Sequence, residues 1–315
     1  MNKKLILSIA MLAMLLPVNA VVKTSHFIQF WGEGGARQYT GTFNRAIPQL
    51  GFLGDVGIGY EFRAGWFVIN TGVGFAVPTF RLNVEDMTSS FYGQDDEGDY
   101  RHYNYVSTGR VERYNGFNLQ VPLMFGIQLK KFYMLIGAKG DFNMWTASHI
   151  RANIAAQGVY DDFIDPFENM PEHTYYEGTS IRQHHAVRFG PDVNARLELG
   201  WRFGTPTLAT GFDVNKSKWQ YRLGFFLDYG LLNITPEARY TRGIIALPDD
   251  ATGGLSDIQL HDLVATSGWA SDIKQFTVGV KFTALFHVTP WWSCLVCEQL
   301  SPRAKPQKGE RNWKW

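Results

Sequence analysis

Ser148 and His149 are residue types that could support nucleophilic catalysis, because a serine hydroxyl needs a nearby base to activate it. The two are consecutive at the end of a segment that alternates like a strand, and consecutive side chains of a strand point to opposite faces. His184 and His185 are adjacent in the same way, which makes them a poor pair of metal ligands. These pairs therefore predict neither catalytic residues nor a metal site.

Cys294 and Cys297 are the two cysteines of the chain, and their spacing is shared with thiol redox motifs. The βαβ pattern that accompanies such motifs is missing, and no histidine follows them to complete a zinc site. A local disulfide and two unreacted thiols are the remaining interpretations. The sequence thus predicts no cofactor.

The N-terminus has the organisation of a secretory signal peptide. Lys3 and Lys4 precede an apolar run over 5–16, and Ala20 ends a small-residue cleavage site. The apolar run is shorter than the ~20 residues that a membrane-spanning helix needs. We therefore expect a signal peptide at 1–20 and an exported chain that begins at residue 21.

Composition narrows the class of the exported chain. A net charge of +1 gives no basis for a nucleic-acid partner. No apolar stretch long enough for a spanning helix follows the signal. The 15% of aromatic residues and the 32 glycines are instead typical of a membrane β-barrel, with its aromatic girdles and curved wall.

The elements that must position any site are long strands. In the last of them apolar residues occupy every second position, and Lys281 is among the residues between them. Alternation over such a length exceeds the ~5–6 residues of an ordinary strand and disfavours a soluble β-sandwich. The pattern recurs in eight segments, at 26–35, 55–62, 67–77, 117–129, 132–143, 193–203, 221–231 and 276–288.

The links between these segments fall into two sets that alternate along the chain. One set is at 63–65, 130–131 and 204–218, and the longer set is at 36–49, about 84–110, about 155–187 and about 233–270. An even strand number with long loops on one side is typical of bacterial outer-membrane barrels. The sequence therefore predicts an all-β fold, a closed antiparallel up-and-down transmembrane β-barrel of eight strands over 21–288 with long extracellular loops. Residues 239–247 could contribute an extra hairpin, so ten strands is the alternative.

The second face of these strands carries charges of both signs. An eight-stranded barrel has a lumen only wide enough for side chains, and a buried charge without a partner is strongly unfavourable. Near-equal numbers of acids and bases therefore predict ion pairing and a plugged lumen rather than a conducting pore. The predicted structural polar network consists of Asp55, Glu61, Arg63, Lys139, Asp141, Arg196, Glu198, Arg202, Arg222, Asp228 and Lys281.

The long loops contain two acidic clusters and a group of aromatic residues. The clusters lack the spacing of a calcium-binding EF-hand, so we interpret them as solvated or lipopolysaccharide-bridging surfaces. The aromatic residues could bind a partner or cap the barrel mouth, and we favour the cap. The clusters are Asp95, Asp96, Glu97 and Asp99, and Asp161, Asp162, Asp165 and Glu168; the aromatic residues are Tyr160, Phe163, Phe167, Tyr175 and Tyr176.

Three segments resemble the small outer-membrane β-barrel domains of Bacteroidota, the group that includes PorT-like proteins. They are NLQVPLMFGIQ at 118–128, GYEFRAGWF at 59–67 and GVKFTALF at 279–286. The resemblance covers residues 26–288 and implies a barrel with an accessory role in protein secretion or cell-surface assembly. It carries over no catalytic residue, and this chain differs by continuing past Phe286, near which many such barrels end.

Residues 289–315 form a tail that we expect to lie in the periplasm. Pro290, Trp291 and Trp292 fit an aromatic anchor at the membrane interface. The remainder is basic, which suggests docking on a periplasmic partner or cell-wall polymer. The predicted docking residues are Arg303, Lys305, Lys308, Arg311 and Lys314.

The combined prediction is a non-enzymatic barrel in the outer membrane of a Gram-negative bacterium, in contact with outer-membrane lipid and with both termini in the periplasm. Its expected role is in envelope assembly, as a secretion accessory or in surface interaction. A pore for small solutes is the alternative. A lipid-modifying barrel enzyme is a third hypothesis, which would need a nucleophile and a base near the membrane surface.

Overall fold

The computed structural model describes residues 24–94, 100–160, 176–204, 219–241, 243–247 and 258–288. The predicted signal peptide at 1–20, the tail at 289–315 and both acidic clusters lie outside these ranges. No helix within the ranges is long and apolar enough to cross a membrane. The strands are β1 (Thr24–Phe43), β2 (Ala46–Gln49), β3 (Gly51–Ala64), β4 (Phe67–Val84), β5 (Met87–Gln94), β6 (Tyr100–Leu129), β7 (Phe132–Tyr160), β8 (Tyr176–Val187), β9 (Asp192–Phe203), β10 (Trp219–Gly230), β11 (Ile245–Ala246), β12 (Gln259–Leu260) and β13 (Ala270–Val288).

Eight of these strands form a closed antiparallel ring, in the order β1, β3, β4, β6, β7, β9, β10 and β13. β13 pairs with β1 from Val288 opposite His26 to Ala270 opposite Phe43, and this seam closes the ring. The predicted eight-stranded barrel is confirmed. The ten-stranded alternative is wrong, because Ile245–Ala246 pairs with Gln259–Leu260 in a separate two-stranded sheet.

Both ends of the barrel chain lie on the same side of the ring. Thr24 is opposite Ala64, beside the tight turn between β3 and β4, and Val288 is opposite His26. Gly65 in that turn has φ 61°, a left-handed conformation that glycine adopts without steric cost. We call this side the turn end and the opposite side the mouth.

The polarity of β4, β6 and β7 inverts along each strand. Toward the turn end the outward side chains are apolar, as at Val73, Leu123 and Ile136, and the buried inward ones are polar, as at Asn70, Gln120 and Lys139. Toward the mouth the buried inward side chains are apolar, as at Leu82, Tyr105 and Ile154, and the outward ones are basic, as at Arg81, Arg113 and Arg151. The inversion falls near Pro78, Gly116 and Thr146. We call the two parts the lower barrel and the extension.

Much of what the sequence predicts as loop is strand in the structure. β1 continues to Phe43, β4 to Val84 and β7 to Tyr160, while β6 begins at Tyr100. β2, β5 and β8 pair with the upper parts of β4, β6 and β7. The predicted loops at 36–49, 84–110 and 155–187 are therefore corrected to a tall strand wall with shorter connections.

The fourth predicted loop, at 233–270, folds back against the inner face of the extension. Its described residues, which we call the cap, are 233–241, 243–247 and 258–269, including a 3-10 turn at Leu263–Ala265. Cap and wall share an apolar core. Inward apolar side chains of the wall pack against those of the cap, because burying apolar surface away from water is favourable. The core includes Ile234, Ile244, Leu260 and Leu263 of the cap and Phe80, Tyr105, Tyr114, Ile150 and Ile154 of the wall.

Candidate functional site

Glu33 lies among three cations in the middle of the lower barrel. Its Oε1 is 2.7 Å from Arg196 Nη2 and 3.4 Å from Lys281 Nζ, and its Oε2 is 3.9 Å from Lys139 Nζ. These residues come from β1, β9, β13 and β7, so the contacts cross the lumen. Buried charges hold such positions only when each has a partner of opposite sign.

The same three cations also contact two further carboxylates. Lys139 Nζ is 2.6 Å from Asp228 Oδ2, and Lys281 Nζ is 3.0 Å from Glu198 Oε2. Arg196 Nε lies 3.6 Å from Asp228 Oδ1. Together with Glu33 these side chains form what we call the central cluster, in which acids and bases are equal in number.

A second charged group lies closer to the turn end. Glu61 Oε1 is 2.5 Å from Arg63 Nε and accepts a 2.8 Å hydrogen bond from Arg222 Nη2. The two guanidinium groups also donate to neutral amides, Arg222 to Gln128 Oε1 at 2.8 Å and Arg63 to Gln220 Oε1 at 3.0 Å. One carboxylate thus neutralises two arginines only in part, and the two amides accept one further hydrogen bond from each guanidinium group.

A third group lies on the mouth side of the central cluster. Arg37 Nη2 is 3.6 Å from Asp141 Oδ2, and Asn118 donates to Asp141 Oδ1 at 2.7 Å. Gln275 donates to Asp192 Oδ2 at 2.7 Å in the same layer. All five side chains are buried. The lumen is therefore crossed by charged or polar side chains at three successive heights.

Aromatic rings fill the space that the charged groups leave. Lys281 Nζ lies 5.3 Å from the centre of the Trp31 ring, and Arg196 Cζ lies 4.4 Å from the centre of the Phe226 ring, within cation–π range. Trp31 lies flat on the wall at Gly57, where a Cβ would come within 2.2 Å of the indole. A larger residue at Gly57 would therefore displace the ring that packs against the central cluster.

The interior of the lower barrel is occluded. Glu198 and Arg196 are 1% and 2% exposed, as expected when an eight-stranded ring encloses side chains and no channel. A cavity of about 20 Å³ lies between the third polar layer and the extension, lined by Asp141, Tyr114 and their neighbours. That is room for about one water molecule.

The predicted polar network and the observed one differ at a few positions. Ten of the eleven predicted residues are buried inside the ring, whereas Arg202 is half-buried at the turn end and donates to the Lys130 carbonyl oxygen at 2.8 Å. The prediction omitted Glu33, Arg37 and Asp192, which are buried among them.

The omitted residues had weak sequence signals. The outward positions beside Glu33 are Gly32 and Gly34, so the apolar alternation of β1 fades where its charges begin. Arg37 lies beyond the predicted end of this strand at residue 35. Counting outward glycine as compatible with a barrel wall would have extended the inward set to Arg37.

Two residues of β6 hold the cap against the wall. Arg110 Nη2 is 2.6 Å from Glu112 Oε1, and neither side chain is exposed. Arg110 Nη1 donates to the Ile244 carbonyl oxygen at 2.9 Å, and Glu112 Oε2 accepts from the Leu263 amide at 3.0 Å. The Tyr114 hydroxyl also donates to Glu112. This one ion pair therefore bonds backbone groups of two cap segments, at Ile244 and at Leu263. We call Arg110 and Glu112 the latch.

Asp262 is a buried acid of the cap that faces β7. The Ser148 hydroxyl donates to Asp262 Oδ1. Burial raises the pKa of Asp262 to about 6, the Ser148 bond opposes this rise, and the nearby charge of Glu112 adds to it. Burial also lowers the pKa of the neighbouring His261, whose ring stacks on Tyr240 with centres 3.8 Å apart.

In each of the two pairs that the sequence analysis considered, Ser148–His149 and His184–His185, the side chains point to opposite faces of the strand wall. Ser148 points inward to the cap, and His149 points outward. His185 also points inward, with Nε2 2.8 Å from the Leu260 carbonyl oxygen, while His184 points outward. Among the residues that the structure describes, no group of three or more His, Cys, Asp or Glu side chains could hold a metal ion.

Several predicted sites fall wholly or partly outside the described residues. Cys294, Cys297 and the basic tail residues Arg303, Lys305, Lys308, Arg311 and Lys314 lie there, as do Phe163, Phe167 and Tyr175. Tyr160 is not a loop residue as predicted but the last residue of β7, and it is 7% exposed. Tyr176 is likewise a strand residue, the first of β8.

Comparisons with known proteins assign no family. No family model matches the chain, and no curated protein matches it. Among solved structures, the translocator domain of the autotransporter NalP from Neisseria meningitidis has 8% identity, covers 89% of this chain and 94% of its own, and gives a TM-score of 0.17. The secretin InvG of the Salmonella SPI-1 type III secretion injectisome has 10% identity. The match covers 96% of this chain and 72% of the secretin chain, with a TM-score of 0.09. Likenesses this low carry no argument about function, and the fold rests on the strand pairing described above.

Proposed function

We propose that the chain is a non-enzymatic, non-conducting outer-membrane barrel that acts through the surface it holds outside the membrane. In this proposal it serves in envelope assembly, as a secretion accessory or in surface interaction. The outward face of the lower barrel supports the membrane position, because Phe75, Ile136 and Phe225 are 49%, 62% and 58% exposed within a continuous apolar belt. Such a belt is what a barrel presents to lipid.

The observation that carries the proposal is the double closure of the interior. Three polar layers cross the lumen of the lower barrel, and the cap fills the extension above them. A solute would have to separate buried ion pairs and then displace an apolar core. The alternative of a small-solute pore would require both barriers to open, so we place the activity on the outside of the cap and extension.

Orientation follows from the same features. In outer-membrane barrels the short turns and the chain ends face the periplasm. The turn end would then be periplasmic, and the extension, with about 14 residues of β7 above Thr146, would project roughly 30–40 Å from the membrane. The cap and the upper wall are then the parts available to a partner outside the cell.

A conductance measurement in planar bilayers tests the closed lumen. We expect no steady current from the wild-type barrel, and none when the cap is replaced by a short glycine–serine linker, because the three polar layers remain. A cap-less variant in which serine also replaces the charged side chains of all three layers should conduct. Heat-dependent migration in detergent gels reports folding for each variant. Steady currents from the folded wild-type barrel would contradict the proposal.

Capture of partners tests the interaction role. Affinity purification from solubilised outer membranes would compare the intact chain, a cap-less chain and a chain that ends at Trp292. Loss of a stoichiometric partner with the cap would support action at the surface. Loss with the tail would support the proposed periplasmic docking through its basic residues. Identical recovery from all three chains would contradict both.

A further inference from the structure

Six basic side chains face outward together on the extension. Arg81, Arg113, His149 and His184 are cross-strand neighbours on β4, β6, β7 and β8, in one row around the barrel. Arg151 and Arg182 are opposite each other in the next row toward the mouth. We call these six residues the basic patch. They line a single groove on the outer wall.

The basic patch places like charges side by side. Arg81 is directly opposite Arg113, and Arg151 is directly opposite Arg182. Side chains in such positions are about 5 Å apart at Cβ, and like charges there are destabilising. An anion bound between them would offset that repulsion.

The charges of the basic patch are not neutralised within the described part of the chain. No carboxylate there lies within ion-pair distance of Arg113, Arg151 or Arg182, and the two rows contain no Asp or Glu. Arg81 donates to the neutral amide of Asn83 at 3.2 Å. The lumen shows the opposite arrangement, since each buried cation of its central cluster contacts a carboxylate. The patch therefore has donors available for an external anion.

The position of the patch specifies where that anion would come from. On the same strands the apolar belt ends at Phe117, Met144 and Trp145, the last of which is 55% exposed. Tryptophan is enriched at the membrane–water interface. Arg113 and His149 are four residues above Phe117 and Trp145, roughly 10 Å in height for a tilted strand, and arginine side chains can reach back toward the interface. The patch thus lies at the level of lipid headgroups.

We propose that the basic patch binds the phosphorylated headgroup of a lipid in the outer leaflet, with its acyl chains on the apolar belt below. Guanidinium groups bind phosphate oxygens through paired hydrogen bonds, so Arg113, Arg151 and Arg182 would each take a phosphate oxygen pair. Two rows with two arginines each suit a headgroup with more than one phosphate, while His149 and His184 bond each other through Nδ1 atoms 2.6 Å apart. The proposal rests on the membrane position proposed above, but not on the closed lumen or on any protein partner.

Native mass spectrometry of the detergent-solubilised barrel provides the test. The probes are bisphosphorylated lipid A, its monophosphorylated form, a neutral glycolipid with similar chains, and inorganic pyrophosphate. We expect wild-type affinity to fall in that order, and Arg113→Gln/Arg151→Gln to bind bisphosphorylated lipid A at least tenfold more weakly. Arg113→Lys/Arg151→Lys should fall between them, because lysine keeps the charge but loses the paired geometry.

Lys131→Gln/Lys274→Gln is the matched control, since it removes the same charge at the turn and on the opposite wall. It should bind like the wild type. Equal losses in the two glutamine doubles, or no binding of bisphosphorylated lipid by the folded wild-type barrel, would overturn the proposal. Pyrophosphate competing as well as the lipid at equal concentration would also overturn it, in favour of a soluble anion. Folding and conductance are measured in separate experiments. A failure to bind lipid can therefore be distinguished from a failure of the proposed function.

Discussion

The lower barrel and the extension share strands but are filled in opposite ways. In the lower barrel, β7 points Lys139 and Asp141 inward and Ile136 outward; in the extension it points Ile150 inward and Arg151 outward. A bulge at Met144 and Trp145, where two consecutive side chains face outward, shifts the alternation of β7 by one residue between the two parts. An apolar exterior requires an interior that pairs its own charges, whereas a water-facing exterior permits an ordinary apolar core. In the membrane position proposed above, the inversion would mark the level at which lipid gives way to water.

The largest effect should come from breaking the latch of the extension. Glu112→Ala leaves the buried Arg110 guanidinium without its carboxylate, and removing one partner of a buried pair costs about 3–5 kcal/mol. We expect the cap to become protease-sensitive while the lower barrel keeps its heat-dependent gel migration. Arg113→Ala, on the outward face beside it, should change stability by no more than about 0.5 kcal/mol. Similar protease sensitivity of the two variants would contradict the role of the latch.

A charge placed on the outward face should discriminate between the two regions. Leu123→Arg puts a guanidinium on the lipid-facing belt, which costs about 2–4 kcal/mol near the bilayer midplane. Asn115→Arg makes the same change eight positions earlier on the same face, above the inversion, and should be almost neutral. Urea unfolding in lipid vesicles measures both. Equal costs would show that the inversion does not mark the membrane surface.

A smaller effect is expected from the pH dependence of the cap. Burial raises the pKa of Asp262 to about 6, so the folded state holds its proton more tightly than the unfolded chain. Its stabilising contribution is complete below the unfolded value of about 3.9 and is lost as the pH rises through about 6. Between pH 4.5 and 7.5 we expect the cap of the wild type to lose roughly 1–3 kcal/mol relative to Asp262→Asn. Hydrogen exchange of cap amides measures this difference, and parallel pH profiles would contradict it.

The smallest effect should come from the rim of the lower barrel. Arg202 is half-buried and bonds a backbone oxygen instead of a carboxylate. Arg202→Gln should therefore cost less than about 1 kcal/mol in urea unfolding. Arg196→Gln, in the central cluster, serves as the comparison and should cost several times more. A large loss with Arg202→Gln would show that the network extends to the turn end.

The sequence was sufficient for the lower barrel because one rule governs each strand there. Apolar residues at every second position of 117–129 and 276–288 place both the wall and its inward charges. The rule holds because the outer face stays apolar and the face toward the packed lumen stays polar along the whole segment. The resemblance to PorT-like barrels stays a prediction, since no comparison tests it.

The extension was missed because the same rule reverses in mid-strand. At Asn115 and Arg113 the outward positions turn polar, so a search for one continuous apolar face ends the strand at Phe117. The latch was missed for a related reason, since Gly109 and the register shift between Thr108 and Val111 move Arg110 to the inner face. Such a shift depends on tertiary pairing and has no periodicity of its own. Testing each strand for both phases would have found the extension, although not the latch.

The seam between β1 and β13 constrains how the barrel can assemble. Arg37 on β1 bonds Thr277 on β13, two residues separated by 240 positions. Contacts so distant in sequence form slowly, because a long loop must close before they contribute any stability. Glu33 cannot reach Lys281 until the seam has formed. The inward charges must therefore stay hydrated until the last strand arrives, and closing the ring and expelling water from its interior become a single late step of folding.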